Sequence, residues 1–242
     1  MPTGTWRGVV GVIKPGHTTA SVNDFIRLMP EGVGVIPLYA GIREHTHEEY
    51  LDVLQSYNDK VAELAKLGVC DLIHPEGAPP FMLRGYQAER QIVADWEAQH
   101  RVPIFTSGMT QTEALRALGI KRLLGLTYET REMNQIFEGY FAEAGFDVLA
   151  IEEMGPRPAK GTTVGAEDTY RGIKKAFLRH PEADGIYLQG SSSWRVTDVI
   201  PLEEDLGIPV LHPVAARVWY VQRRLRLRQP VKGAGRLLEQ MP

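Results

Sequence analysis

The sequence predicts an α/β fold of two pseudo-symmetric lobes, each a mostly parallel sheet flanked by helices. Three observations carry that expectation. Short runs rich in Val, Ile and Leu alternate with longer amphipathic segments, the pattern of successive strand–helix–strand units. The short runs are apolar throughout, as strands covered on both faces must be. The order of elements in the first half of the chain is also echoed in the second.

Taken in order, the strand candidates are "GVVGVI" (8–13), "GVGVIPL" (32–38), "CDLIH" (70–74), "VPIFT" (102–106), "RLLGLT" (122–127), "FDVLAI" (146–151), "GIYLQ" (185–189) and "IPVLH" (208–212). Helices are expected between them. In "EEYLDVLQSYNDKVAELAKLG" apolar residues recur at three- and four-residue steps, giving one buried face. "TQTEALRALG" opens with Thr110 and Glu113 in capping-box spacing and stops at Gly119. "AARVWYVQRRLRLRQP" reads as a helix with a basic outer side, a solvated or interfacial face. The echo pairs "GVCDLIHPEG", helix, "RVPIFTSGMTQTEALRALG" with "EADGIYLQGSSS", helix, "LGIPVLHPVAARVWYVQRRL". It places lobes at about 1–118 and 119–242, with the C-terminal helix, about 214–228, a candidate to pack back on the first lobe. In open α/β sheets ligands bind beyond the carboxyl ends of strands, so the four polar tips are expected to converge on one cleft.

Composition narrows the function. The chain has 242 residues, 43% of them hydrophobic, enough for a sizeable core. A formal charge of -3 argues against a broad surface for nucleic acid or anionic membrane, and leaves a small molecule or another protein as partner. The single cysteine, Cys70, rules out an internal disulfide framework and a multi-cysteine metal site. No span approaches the roughly 18 apolar residues of a membrane helix, and no basic segment precedes the first apolar run, so the chain reads as cytoplasmic. "GSSSW" lacks the glycine of a nucleophile elbow, because Trp194 stands two residues beyond Ser192. No dinucleotide or P-loop glycine pattern occurs. His45 and His47 in "REHTHEEY" diverge on a helix start and make no metal pair, so no metal or other cofactor is expected.

Four stretches, "DLIHPEGAPPFMLRG", "VPIFTSGMTQTEAL", "GLTYETREMNQ" and "DGIYLQGSSSWRVTDVIPLEEDLGIPVLHPVAARVW", resemble the aspartate/glutamate/hydantoin racemase superfamily. The likeness covers most of the chain. Within the superfamily the pattern is most similar to the branch of arylmalonate decarboxylase and maleate cis-trans isomerase. The resemblance implies two pseudo-symmetric lobes, a cofactor-free active site in the cleft between them, a small carboxylate substrate and a homo-oligomer. It also implies a cysteine at the strand tip of each lobe in typical racemases and isomerases, and only the second in the decarboxylases. Here the first position falls on Gly77 and the second on Gly190 or Ser191, so both thiols are missing. Cys70 cannot stand in, since seven residues of strand at about 3.3 Å each put it roughly 20 Å from the tip; it is expected as a buried apolar filler.

Other titratable groups must then carry the chemistry. Glu76, before Gly77 on a proline-bounded loop, suits general acid–base work; its bland alternative is a solvated or capping glutamate. His212 stands where the superfamily more often has a small hydroxyl residue, and capping the next helix is the competing role. His74, in parity with Leu72, is expected in the core. Lys14 and His17 in "IKPGHTT" lie where the superfamily's loop contacts a substrate carboxylate; a plain surface turn is the alternative. Ser191, as a third candidate catalytic residue, stands with Gly190, Ser192 and Ser193 in a turn suited to holding a carboxylate or oxyanion. Tyr128 matches a superfamily tyrosine facing the substrate carboxylate. Gly77 and Ala78 complete the first-lobe contacts, although Ala78 and Pro79 replace hydroxyl donors of the decarboxylase.

Three functions follow from these residues. The first is a cofactor-independent decarboxylase or isomerase/racemase-like enzyme acting beside a carboxylate by non-cysteine acid–base chemistry. The second is a hydrolase of an amide, lactam or imide using an activated water. The third is a non-catalytic binder of a small carboxylate.

Overall fold

The computed structural model describes residues 4–17, 20–159 and 162–242. The first half runs β1 (Gly8–Gly16), α1 (Ala20–Leu28), β2 (Val33–Ile42), α2 (His47–Leu67), β3 (Leu72–Pro75), α3 (Pro79–Met82), α4 (Tyr86–His100) and α5 (Ser107–Ala117). The second runs β4 (Arg122–Thr127), α6 (Arg131–Glu143), β5 (Asp147–Glu153), α7 (Ala166–Phe177), β6 (Gly185–Leu188), a 3-10 turn at Val196–Asp198, α8 (Val199–Leu206), β7 (Val210–Leu211), α9 (Pro213–Arg224) and α10 (Arg236–Gln240). None of the described helices is long and apolar enough to cross a membrane.

Contacts divide the chain into two compact units. One comprises Met1–His17 and Met29–Thr110; the other comprises Thr18–Leu28 and Gln111–Pro242. The boundary therefore falls inside α5, and α1 belongs to the second unit, where it packs against α9.

The first unit holds a parallel sheet of order β2-β1-β3. Val10, Val12 and Ile13 of β1 are fully buried, as a central strand covered on both faces requires. Helix α2 buries Tyr50, Val53, Tyr57, Val61 and Leu64, one stripe at three- and four-residue steps. Thr46 starts the helix: its hydroxyl accepts from the Glu49 N–H while the Glu49 carboxylate accepts from the Thr46 N–H. Segment 102–106, expected as a strand, makes only an isolated parallel bridge, Ile104 to Ile73. The bridge rests on the Ile73 N–H to the Pro103 carbonyl at 3.0 Å and the Phe105 N–H to the Ile73 carbonyl at 3.1 Å. The next rung would need an N–H from Pro75, which has none, so the ladder stops there and the Phe105 carbonyl meets His74 Nδ1 instead.

The second unit holds a parallel sheet of order β5-β4-β6-β7. With Ile104 in the fourth place, the first unit repeats that order. The fastenings repeat as well. Asp71, just before β3, accepts from the Val9 N–H at 2.7 Å, and Asp184, just before β6, accepts from the Lys121 and Arg122 N–H groups at 2.8 Å each. Glu97 holds the Ile104 N–H, and Glu203 holds the Val210 N–H at 2.9 Å.

Three further expectations change. Helix α5 starts at Ser107 because Thr106 is its cap, accepting from the Met109 N–H at 3.2 Å; Thr110 lies inside the helix and donates to the Ser107 carbonyl. Helix α9 ends at Arg224 and has no basic outer side along its first ten residues, which are all buried, Arg217 included, its guanidinium 5.5 Å above the Phe25 ring. Cys70 is half-buried rather than buried, at the amino end of β3.

Candidate functional site

Each unit presents one polar strand tip, and the two are built alike. In the first, β1 and β3 run side by side until the Glu76 N–H reaches the Ile13 carbonyl at 2.8 Å; Gly77 follows at φ 107°. In the second, the Gln189 N–H reaches the Leu126 carbonyl at 2.9 Å and Gly190 follows at φ 99°. Gly190, not Ser191, is thus the counterpart of Gly77. Both glycines sit in a backbone region that side chains rarely adopt. A Cβ at 77 would stand 3.1 Å from the Tyr57 hydroxyl, and one at 190 would stand 3.2 Å from the Ser193 hydroxyl.

The first tip carries charge. Lys14 lies within β1 rather than in the loop beyond it, and is 2% exposed. Its Nζ stands 3.4 Å from Oε1 of Glu76, itself 4% exposed. Taking both ions out of water is costly, and their attraction in a poorly polarisable surround offsets it. The Glu76–Gly77 peptide between them is held at both polar groups: Tyr57 donates its hydroxyl to the Glu76 carbonyl, and the Gly77 N–H donates to Ser107 Oγ at 3.0 Å. Burial first, and the nearby Glu76 charge second, push the Tyr57 phenol well above its ordinary value. Ala78, buried, starts the short helix α3. His74 is fully buried, its ring stacked on Phe105 and its Nδ1 2.9 Å from the Phe105 carbonyl. His17 is exposed and stacks on Tyr39, with centroids 4.7 Å apart. Next to this tip, Thr106 donates to the Glu89 carboxylate at 2.5 Å with neither group exposed.

The second tip has no ion pair at the matching place. Thr127 occupies the position of Lys14 and donates to Asn134 at 2.6 Å; Gln189 occupies that of Glu76 and accepts from the Tyr187 hydroxyl. Ser191, Ser192 and Ser193 are half-buried in a turn closed by the Ser193 N–H to the Gly190 carbonyl at 3.1 Å. Trp194 anchors the turn from below, donating to the Gln189 carbonyl at 2.9 Å, and Tyr128 packs on its ring, 4.8 Å between centroids. Burial, with Asp168 nearby, raises the Tyr128 phenol.

His212 is a helix cap in this structure. Its Nδ1 accepts from the Val214 N–H at 3.1 Å and its Nε2 stands 3.2 Å from the Trp194 carbonyl. A backbone N–H can only donate, so Nδ1 is bare and Nε2 carries the proton: the ring is neutral. Burial, helped by Arg217, lowers its pKa to about 3, against the Trp194 carbonyl, which favours the charged form. Thr106 caps α5 at the equivalent place in the first unit.

Sequence reasoning did not single out Tyr57, which lies on the α2 stripe seven residues beyond Tyr50 and looks like any core aromatic. Among the described residues no group of three or more His, Cys, Asp or Glu could hold a metal ion.

A model of the family described as arylmalonate decarboxylase matches residues 10–238. Arylmalonate decarboxylase of Bordetella bronchiseptica is 24% identical over 216 residues, 87% of either chain. Among solved structures, a liganded double mutant of arylmalonate decarboxylase, with a glycine changed to cysteine and a cysteine to serine, superposes with TM-score 0.87 at 22% identity, covering 96% of this chain and 99% of that one. Maleate isomerase Iso of Pseudomonas putida S16 gives TM-score 0.88 at 18% identity, covering 97% and 99%. A mutant of Nocardia farcinica maleate cis-trans isomerase with a covalently bound succinylcysteine intermediate gives 0.83 at 20%, covering 96% and 98%.

Proposed function

This chain belongs to the arylmalonate decarboxylase family, and from that premise we propose that it is a cofactor-independent enzyme of the lyase or isomerase class. It acts at the carbon next to the carboxylate of a small acid, and Glu76 moves the proton. The observation that carries the reading is the buried Lys14–Glu76 pair at the first tip, beside a glycine at the position where the resembled racemases and isomerases carry a thiol. A thiol-free tip needs another group that can take up and deliver a proton, and the buried Glu76 carboxylate is one.

For a decarboxylation the steps balance simply. The C–C bond to one carboxylate breaks, CO2 leaves, and the electron pair remains on the adjacent carbon as an enediolate of the surviving carboxylate. The Glu76 carboxylate takes a proton from solvent as the substrate anion enters beside Lys14, gives it to that carbon, and returns to the ion pair. Lys14 supplies positive charge where negative charge develops, without itself transferring a proton. An isomerase or racemase uses the same carboxyl to remove and return a proton. The turn Gly190–Ser193 with Tyr128 is a separate element of the reading, a set of hydroxyl donors for a carboxylate. His212 has no catalytic part in it, since one ring nitrogen caps α9 and the other is bonded to the Trp194 carbonyl.

The test is incubation with substituted malonates, maleate and small amino acids in D2O, and with small amides, lactams and imides in oxygen-18 water. Expected are CO2 release or interconversion with one deuterium at the α-carbon, and a turnover lowered about 10²–10⁴-fold in Glu76→Gln, the usual contribution of a positioned acid or base. Turnover unchanged in that variant removes Glu76 from the mechanism. Oxygen-18 from water in the product with no deuterium at carbon replaces the reading with hydrolysis, and retention of an acid without turnover replaces it with binding alone.

A further inference from the structure

The space that a side chain at position 77 would enter is filled. Tyr57 reaches it from α2: the residue is wholly buried, its ring lies 5.4 Å from that of Phe81, and its hydroxyl donates to the carbonyl of Glu76. That hydroxyl stands 3.1 Å from where a Cβ on Gly77 would be, closer than side-chain carbons ordinarily come, with Pro15 Cγ at 3.4 Å on another side. The same peptide is fixed at its other end by Ser107. Neither neighbour can easily give way, because moving the phenol breaks the bond to a buried carbonyl.

We propose that Tyr57 is the positioning residue of the first tip: its hydroxyl holds the Glu76–Gly77 peptide in its glycine-only conformation and bars any side chain from position 77. The absence of a thiol there is then enforced by a second residue, and Glu76 is aimed by the bond that does so. Position 77 and position 57 form one unit, in which a side chain at 77 becomes admissible only when the hydroxyl at 57 goes.

A double-mutant cycle tests this on the full chain. Tyr57→Phe, Gly77→Ala and the double variant are unfolded in urea. The strain of placing alanine at a positive φ is common to both backgrounds and cancels, so the coupling reports the contact with the hydroxyl. The expected result is a cost of Gly77→Ala at least tenfold smaller, as an unfolding constant, in the Tyr57→Phe background. Costs equal within threefold overturn the proposal. Gly77→Cys in the two backgrounds gives a second measure, alkylation by iodoacetamide followed by mass spectrometry with Cys70 as internal reference: labelling at 77 should be at least tenfold faster when Tyr57→Phe is also present, and equal rates count against the proposal. Should the cysteine variants not fold, the alanine cycle decides.

The aim of Glu76 has its own readout, and this arm alone rests on the function proposed above. Tyr57→Phe should lower kcat about tenfold with KM unchanged, whereas a role in packing alone leaves kcat per folded molecule intact. Failure to find turnover in the parent chain removes the function and leaves the unfolding cycle to decide the role of Tyr57.

Discussion

His212 makes the stability of this protein depend on acid in a calculable way. Its pKa is about 3 in the folded chain against an ordinary 6.5, so the unfolded chain takes up a proton as pH falls through 6.5 while the native chain does not until about 3. The contribution is therefore complete above 6.5 and is lost progressively between 6.5 and 3. Between pH 7 and pH 5 the unfolded state gains about 1.4 pH units of preferential protonation, which at 1.36 kcal/mol per unit is a loss of about 2 kcal/mol from one residue. His212→Asn is the informative control, because an amide oxygen can still accept the Val214 N–H while nothing at 212 titrates. Urea unfolding of both proteins at pH 7 and pH 5 measures the effect. The stability advantage of the parent over the variant should shrink by about 2 kcal/mol at the lower pH, with the m-value unchanged. A difference constant to within about 0.5 kcal/mol would refute the neutral, doubly bonded imidazole, since every other titrating group is common to both proteins.

Two more outcomes follow from buried polar contacts. Lys14→Met alone leaves the Glu76 carboxylate without its counter-charge and should cost about 3–5 kcal/mol in urea unfolding, while Lys14→Met with Glu76→Leu should recover most of it; a double variant as unstable as the single would mean that packing, not charge, is at stake. Thr106→Val removes both the cap on α5 and the donor to Glu89, and should cost about 1–3 kcal/mol, with Thr106→Ser restoring the larger part in thermal unfolding.

Much of the fold was legible because its signals are local and repeated. Unbroken apolar runs located β1, β4 and β6, and the echo between halves anticipated two similar parallel sheets, though not the order of their strands. The segment 102–106 misled because Ile104 and Phe105 look like strand residues, whereas a ladder also needs donors on the neighbouring strand, and the residue that would supply the next one is Pro75. The α5 cap was misplaced for a similar reason: Thr106 and Thr110 both precede helix-forming residues, and the sequence does not say whose hydroxyl meets an N–H. The two tips fall at the ends of β3 and β6, near where the sequence suggested strand ends, yet which side chains meet there was only partly readable. Lys14 and Glu76 are 62 residues apart, and only the parallel register of β1 and β3 brings them together. Tyr57 carried no signal at all, since a tyrosine on an apolar helical stripe looks the same whether or not its hydroxyl has a partner.

The placement of α1 has a consequence in time. A ribosome makes Ala20–Leu28 before β2 exists, but the helix it packs against, α9, is made long after β3. Strands β1, β2 and β3 are all outside once Pro75 has emerged, and can pair before α9 is made. Helix α1 cannot join them; it must wait, tethered between two strands that have already paired, with Phe25 still lacking the guanidinium of Arg217. Closing a contact between segments so far apart in sequence is slow and leaves apolar surface bare meanwhile. A chain stalled between Pro75 and Pro213 would thus hold three paired strands and a bare helix, a species that chaperones should recognise.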